Sequence, residues 1–199
     1  MTIHIKSVDF PILVMDNFLT DEELKNVFNE LYELKINPLI SSNTDAAKKD
    51  HKFLTKNKSG AWLDRIFQGK REKCEYFKVY KKYLGYRSRE FDDFLNVSDL
   101  SASFLDTKID STLFGIYANE SSYESHNDVC HFTQIFWLTE DEDYVDGGNL
   151  VFTNLDLEIK FKNNRLILFP AFCKHEVTNT KLMKSNVYRY SYTTFFHLY

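Results

Sequence analysis

Val187-Tyr-Arg-Tyr-Ser-Tyr-Thr-Thr-Phe-Phe-His197 is a run of aromatic and β-branched residues without Gly or Pro, a composition typical of a β-strand. Six similar runs precede it from residue 112 onward, and short polar or Gly-containing segments separate them. Short strands at such regular spacing favour an antiparallel barrel or sandwich. These six predicted strands cover residues 113–117, 132–138, 149–152, 157–161, 165–169 and 175–178.

The first hundred residues carry helical signals instead. Thr20-Asp-Glu-Glu23 has the pattern of a capping box, and apolar residues then recur at helical spacing, which predicts a helix over residues 20–34. Residues 62–67 and 74–84 predict further helical pieces, and residues 10–15 predict a short strand. Residues 40–60 are polar and predict a long loop, which could order over a bound peptide as a lid.

Composition favours one folded domain over residues 1–199, of α+β class and mainly β. The chain has 18 Phe, 12 Tyr and 2 Trp but only 6 Gly and 3 Pro, which excludes a disordered or collagen-like chain. We expect residues 1–100 to form a helical support layer with the loop, and residues 101–199 to form the β-rich core.

Charge and apolar patterning bear on possible partners. A net charge of −4 leaves no basic excess to neutralise phosphates, which disfavours a nucleic-acid partner. The longest apolar runs are far shorter than the roughly 20 residues that cross a bilayer, so we expect no membrane partner. Three cysteines without a Cys-x-x-Cys pair fit a reducing compartment, and the expected localisation is cytoplasmic.

His126-Asn-Asp128 places an imidazole and a carboxylate two residues apart, and in an extended segment such residues point to the same side. With His175 further along, the chain has the two His and one carboxylate of the facial triad of non-haem Fe(II) oxygenases. Taken alone, the pair also arises by chance, and His175 could be an ordinary core histidine. These ligand types suit Fe, Mn, Ni or Zn equally.

Arg189 and Ser191 share one face of the predicted last strand. An inward Arg on an apolar face needs an anionic partner, and a guanidinium grips a carboxylate with two hydrogen bonds. The alternative is that Arg189 points outward and only solubilises the strand. Arg165 begins a strand and is expected to be exposed.

These motifs together resemble a known family. Tyr117-Ala-Asn-Glu-Ser-Ser-Tyr-Glu-Ser-His-Asn-Asp128 resembles the Tyr…Tyr-x-x-His-x-Asp segment of iron(II)- and 2-oxoglutarate-dependent oxygenases of the prolyl 4-hydroxylase-like type. Gly147-Gly-Asn-Leu150, His175-Glu-Val177 and Arg189-Tyr-Ser191 are similar to later motifs of that family, in the same order. Two departures are Glu120, where the family has a glycine, and a long segment over residues 178–186.

The resemblance implies a double-stranded β-helix (a jelly roll) with supporting helices. It implies that His126, Asp128 and His175 bind Fe(II) at the catalytic centre. It also implies that Arg189, assisted by Ser191, pairs with the distal carboxylate of 2-oxoglutarate, and that Tyr117 and Thr133 hydrogen-bond the same co-substrate. Tyr117 as a core tyrosine and Thr133 as an ordinary strand residue are the plainer alternatives. His131, close to the first ligands, is interpreted as structural.

The implied reaction uses O2 and converts 2-oxoglutarate to succinate and CO2 while an unactivated C–H bond is hydroxylated. The resemblance favours a prolyl or other peptidyl residue in a peptide or protein substrate. A free amino acid or small metabolite is a second possibility, because fold and cofactor do not define a substrate. A non-catalytic jelly-roll binding module is the third.

Overall fold

The computed structural model describes residues 2–5, 9–35, 48–49, 52–53, 55–85 and 89–199. The described strands are β1 (Thr2–Ile5), β2 (Leu13–Asp16), β3 (Lys48–Lys49), β4 (Lys52–Phe53), β5 (Thr55–Trp62), β6 (Ile109–His126), β7 (Phe132–Thr139), β8 (Val145–Gly147), β9 (Leu150–Phe152), β10 (Leu157–Ile159), β11 (Arg165–Pro170), β12 (His175–Leu182) and β13 (Arg189–His197). The described α-helices are α1 (Asp21–Lys35), α2 (Leu63–Ile66), α3 (Glu75–Gly85), α4 (Arg89–Leu95) and α5 (Asp99–Ala102). Single 3-10 turns lie at Arg71–Lys73, Ser103–Asp106 and Glu142–Tyr144.

Eleven of these strands form one curled antiparallel sheet in the order β1-β2-β11-β7-β13-β6-β12-β9-β10, with β5 also paired to β6 and β8 to β12. The long strand β6 belongs to both walls of the curl, since its first half pairs with β13 and its second half with β12. The jelly-roll prediction is confirmed, and the predicted mainly β class with it.

Successive side chains of a strand point to opposite faces of the sheet, and the apolar side chains therefore divide between two cores. On β7, Ile135 and Trp137 point between the two walls, where they pack against Phe152 and Val177 from the opposite wall. Their neighbours along the strand, among them Phe136, point outward into a second core that the helices cover. Because β7 is apolar on both faces, it is buried throughout, as expected for a central strand.

The N-terminal helix begins as its sequence predicts. The Thr20 N–H donates to Glu23 Oε2 at 3.0 Å, and the Glu23 N–H donates to Thr20 Oγ1 at 3.3 Å, which completes the capping box. The helix packs Val27, Leu31 and Leu34 on the outer core. No helix among the described residues is long and apolar enough to cross a membrane.

Three expectations need correction. Residues 55–60 of the predicted loop are part of strand β5, which hydrogen-bonds along β6 although its composition is polar. Of the rest of that loop, residues 48–49 and 52–53 form the short pair β3 and β4, and residues 40–47, 50–51 and 54 lie outside the described residues. The helix predicted over residues 62–67 is a single turn, Leu63–Ile66. Arg165 is not exposed, because Asp16 on the neighbouring strand β2 accepts from its Nε and its Nη2, the latter at 2.9 Å.

Candidate functional site

The two walls bring His126, Asp128 and His175 together. His126 ends β6 and His175 begins β12, and the two residues are direct partners across the strand pair. Asp128 follows β6, where its N–H donates to Ala171 O at 3.2 Å. The three side chains each offer one ligand atom within 4.8 Å of the others, which is a separation that one metal ion can bridge.

Hydrogen bonds orient both imidazoles toward this point. Nδ1 of His126 lies 2.7 Å from Glu124 O, and Nδ1 of His175 lies 2.9 Å from Cys173 O. Since a carbonyl accepts from Nδ1–H, Nε2 of each ring is left with its lone pair. These Nε2 atoms lie 3.4 Å and 3.5 Å from the two carboxylate oxygens of Asp128. The arrangement fits a divalent cation with nitrogen and oxygen ligands.

Electrostatics keep Asp128 and His175 in the form that binds metal. Burial alone would raise the pKa of Asp128, but the neighbouring imidazoles of His126 and His175 and the hydrogen bond from Thr133 hold it below its usual value. Burial lowers the pKa of His175 below its ordinary value. At neutral pH Asp128 is therefore ionised and His175 is neutral, as a metal site requires.

Thr133 contacts the triad directly. Its hydroxyl donates to Asp128 Oδ2 at 2.6 Å, and the residue is fully buried on β7. The sequence predicted that Thr133 hydrogen-bonds the co-substrate, and that role stays a prediction, because the observed contact is to Asp128. His131 lies outside the group, since its Nε2 is 2.9 Å from Ser103 Oγ.

A cavity of about 130 Å³ opens beside the triad. Tyr117, Tyr123 and Lys58 line it together with the three candidate ligands. Most of the remaining wall is apolar and consists of Trp62, Leu113, Ile135, Val177 and Phe195, with Thr193 beside them. A mainly apolar cavity with a few convergent polar groups is typical of a small-molecule site.

Arg189 lies behind this cavity and points inward, which rules out the outward alternative. It is 0 % exposed, and its guanidinium carbon is 4.2 Å from the centre of the Tyr117 ring. Its Nε and Nη1 have no hydrogen-bond partner, and neither does the hydroxyl of Ser191. Gly148 leaves room for this side chain, because a Cβ there would lie 2.8 Å from Arg189 Cδ. Buried donors without an acceptor fit a carboxylate that is bound in the complete site.

Sequence reasoning missed the lysine of the cavity, Lys58. It lies on β5 opposite Tyr117 and is only 7 % exposed. Its Nζ lies 4.8 Å from the Tyr117 ring centre and 4.9 Å from that of Tyr123. Burial would raise the pKa of Tyr117, but the charges of Lys58 and Arg189 outweigh it, and the pKa is lowered. A lysine in a polar stretch carries no sequence signal that distinguishes it from a surface residue.

Comparison with known proteins agrees with this geometry. Residues 113–197 match the model of the 2OG-Fe(II) oxygenase superfamily, whose members use Fe(II), 2-oxoglutarate and O2. The chain matches no curated protein sequence.

Three solved structures share the fold. A prolyl hydroxylase from Trichoplax adhaerens, solved with a hypoxia inducible factor oxygen degradation domain peptide fragment, has a TM-score of 0.64 at 15% identity over 94% of this chain and 83% of its own. A Pseudomonas putida prolyl-4-hydroxylase has a TM-score of 0.60 at 18% sequence identity, over 94% of this chain and 91% of its own. The viral collagen prolyl hydroxylase of Paramecium Bursaria Chlorella virus-1, in a 2OG complex, has a TM-score of 0.56 at 17% sequence identity, over 94% of this chain and 96% of its own. At these identities the likeness shows a common fold.

Proposed function

We propose that this chain, a prolyl hydroxylase-like dioxygenase whose residues 113–197 form a 2OG-Fe(II) oxygenase domain, hydroxylates a prolyl or other peptidyl residue. The observation that carries the proposal is the convergence of His126, Asp128 and His175 within 4.8 Å at the wall of a cavity backed by the buried Arg189. The Trichoplax adhaerens enzyme of the same fold was solved with a peptide, which supports a peptide rather than a free amino acid.

In this mechanism His126 and His175 would hold Fe(II) through Nε2, and Asp128 would hold it through a carboxylate oxygen. The hydrogen bonds from Nδ1 to backbone carbonyls keep each ring in the orientation and tautomer that metal binding needs. When bound, Fe(II) supplies the oxidising chemistry with O2, which decarboxylates 2-oxoglutarate to succinate and CO2 and leaves one oxygen atom on the substrate carbon.

The remaining residues bind the co-substrate and exclude water. Arg189 and Ser191 offer unpaired donors for the distal carboxylate of 2-oxoglutarate, and Tyr117 lies beside them. The apolar wall, to which Ile135 and Val177 contribute, keeps water from the reacting C–H bond.

The test is succinate formation with Fe(II), 2-oxoglutarate and a panel of proline-containing peptides, read together with a mass gain of about 16 for one oxygen atom in the peptide. We expect peptide-dependent succinate from the wild type and none from Asp128→Ala, because that variant lacks the anionic ligand of the three. Succinate that rises with free amino acids but with no peptide would contradict the peptidyl assignment. Full activity of Asp128→Ala would contradict the metal site.

A further inference from the structure

We propose that Lys58 binds the distal carboxylate of 2-oxoglutarate together with Arg189, so that two cations from different strands share this group. The inference rests on the proposed function, because it concerns the co-substrate of that reaction. Lys58 belongs to β5, at the edge of β6, whereas Arg189 belongs to β13 on the other side of β6.

The first argument is the burial of an ammonium group without an anion. Lys58 is 7 % exposed, yet among the described residues no Asp or Glu forms an ion pair with it. Its Nζ instead lies over the rings of Tyr117 and Tyr123, at 4.8 and 4.9 Å from their centres. A lysine normally extends its charged end to water, and a buried charge is stable only when it is paired. A bound anion would supply the missing pair.

The second argument is position. Lys58 lines the same cavity as the three candidate metal ligands, whereas Arg189 is not part of that wall. The rings of Tyr117, Trp137 and Phe161 enclose the guanidinium at 4.2, 5.1 and 5.3 Å. The cation that the cavity presents to a ligand is therefore Lys58, and Arg189 lies one layer deeper.

The third argument is that the unpaired groups lie next to one another. Tyr117 is the strand partner of both Lys58 and Arg189, and its ring centre lies 4.8 Å from Lys58 Nζ and 4.2 Å from the Arg189 guanidinium carbon. A Cβ built on Gly115 would lie 2.9 Å from Lys58 Cε and 3.1 Å from Ser191 Oγ. The absence of a side chain at Gly115 thus lets the lysine stem and the partnerless hydroxyl of Ser191 lie beside the same position. One carboxylate, with two oxygens and about four lone-pair sites, can satisfy these donors together.

Calorimetry on the Mn(II)-loaded protein tests the proposal without turnover. Two ligands are compared: 2-oxoglutarate, and 2-oxopentanoate, which has a methyl group where 2-oxoglutarate has its distal carboxylate. We expect Lys58→Met to weaken 2-oxoglutarate about ten- to hundredfold, as loss of a buried charged hydrogen bond does, and to leave 2-oxopentanoate unchanged. Lys181→Met, which removes an exposed lysine on β12, is the matched control and should bind both ligands like the wild type.

Each other outcome is decisive. If Lys58→Met binds 2-oxoglutarate like the wild type, or weakens both ligands equally, Lys58 does not hold the distal carboxylate. If Lys58 instead binds a carboxylate of the substrate, Lys58→Met will bind 2-oxoglutarate like the wild type. If the wild type with Mn(II) binds no 2-oxoglutarate, the proposed function itself fails. Lys58→Gln, which keeps length and polarity without charge, replaces the Met variant if thermal unfolding shows that the latter is misfolded.

Discussion

Thr133→Val removes one hydroxyl from the metal site and leaves the shape of the side chain unchanged. In the wild type this hydroxyl donates to Asp128 Oδ2 at 2.6 Å, in a fully buried position. Hydrogen bonds to charged groups contribute about 1.5–3 kcal/mol, and a partner that orients a metal ligand is worth about ten- to hundredfold in metal affinity. We therefore expect the dissociation constant for Mn(II) to rise about ten- to hundredfold, because the carboxylate of Asp128 is no longer held in place.

The assay is calorimetric titration of the metal-free protein with Mn(II), with Thr133→Ser as the control. The serine keeps the hydroxyl and loses only a methyl group, so its metal affinity should stay within about threefold of the wild type. If Thr133→Val binds Mn(II) as tightly as the wild type does, Thr133 does not position Asp128.

A second titration, with 2-oxoglutarate at saturating Mn(II), examines the role that the sequence predicted for Thr133. If Thr133 also contacts the co-substrate, the valine variant will bind 2-oxoglutarate more weakly even when the metal site is full. If only the metal titration changes, the contribution of Thr133 is to Asp128 alone.

Two other residues give independent predictions. Arg189→Met should weaken 2-oxoglutarate binding at least tenfold and leave Mn(II) binding nearly unchanged, since the guanidinium lies behind the cavity and not at the triad. Equal losses of affinity for 2-oxoglutarate and Mn(II) in calorimetry would refute this prediction. Arg165 and Lys162 lower the pKa of Asp16 from 3.8 to about 2, so this carboxylate stabilises the fold above about pH 4 and the stabilisation is lost as the pH falls toward about 2. Urea unfolding should show that the free energy of unfolding of Asp16→Asn is lower than that of the wild type by up to about 2 kcal/mol at pH 7, and that this difference shrinks below pH 4. A difference in unfolding free energy that does not change with pH would contradict the ion pair.

The strands that could be predicted are those with a local signal. Residues 132–138 and 165–169 are mainly apolar, as central strands are, and the structure places β7 and β11 there. Strand β6 was predicted only over residues 113–117, yet it continues to His126. Its second half is polar, because it lies at the cavity and near solvent, and its pairing with β12 is a long-range contact that no local pattern shows.

The same reason explains what was missed in the site. His126, Asp128 and His175 are chemically distinctive residue types within motifs that resemble a known family, so the resemblance predicted that they would meet, and the structure brings them together. Lys58 has no such distinction, since a polar stretch that becomes an edge strand looks like a loop. Its burial arises only when β5 pairs with β6, so that Lys58 lies opposite Tyr117.

Strand β6 supplies both Tyr117, beside the anion-binding groups, and His126, at the metal end of the cavity. These residues are an odd number of positions apart and would face opposite sides of a regular strand, but irregular pairing on both sides of Tyr123 returns them to a common side. One residue added or removed between them would turn the imidazole away from its partners. This stretch can therefore tolerate exchanged side chains far better than a change in its length. One continuous strand sets the distance between the metal end and the anion-binding end of the cavity.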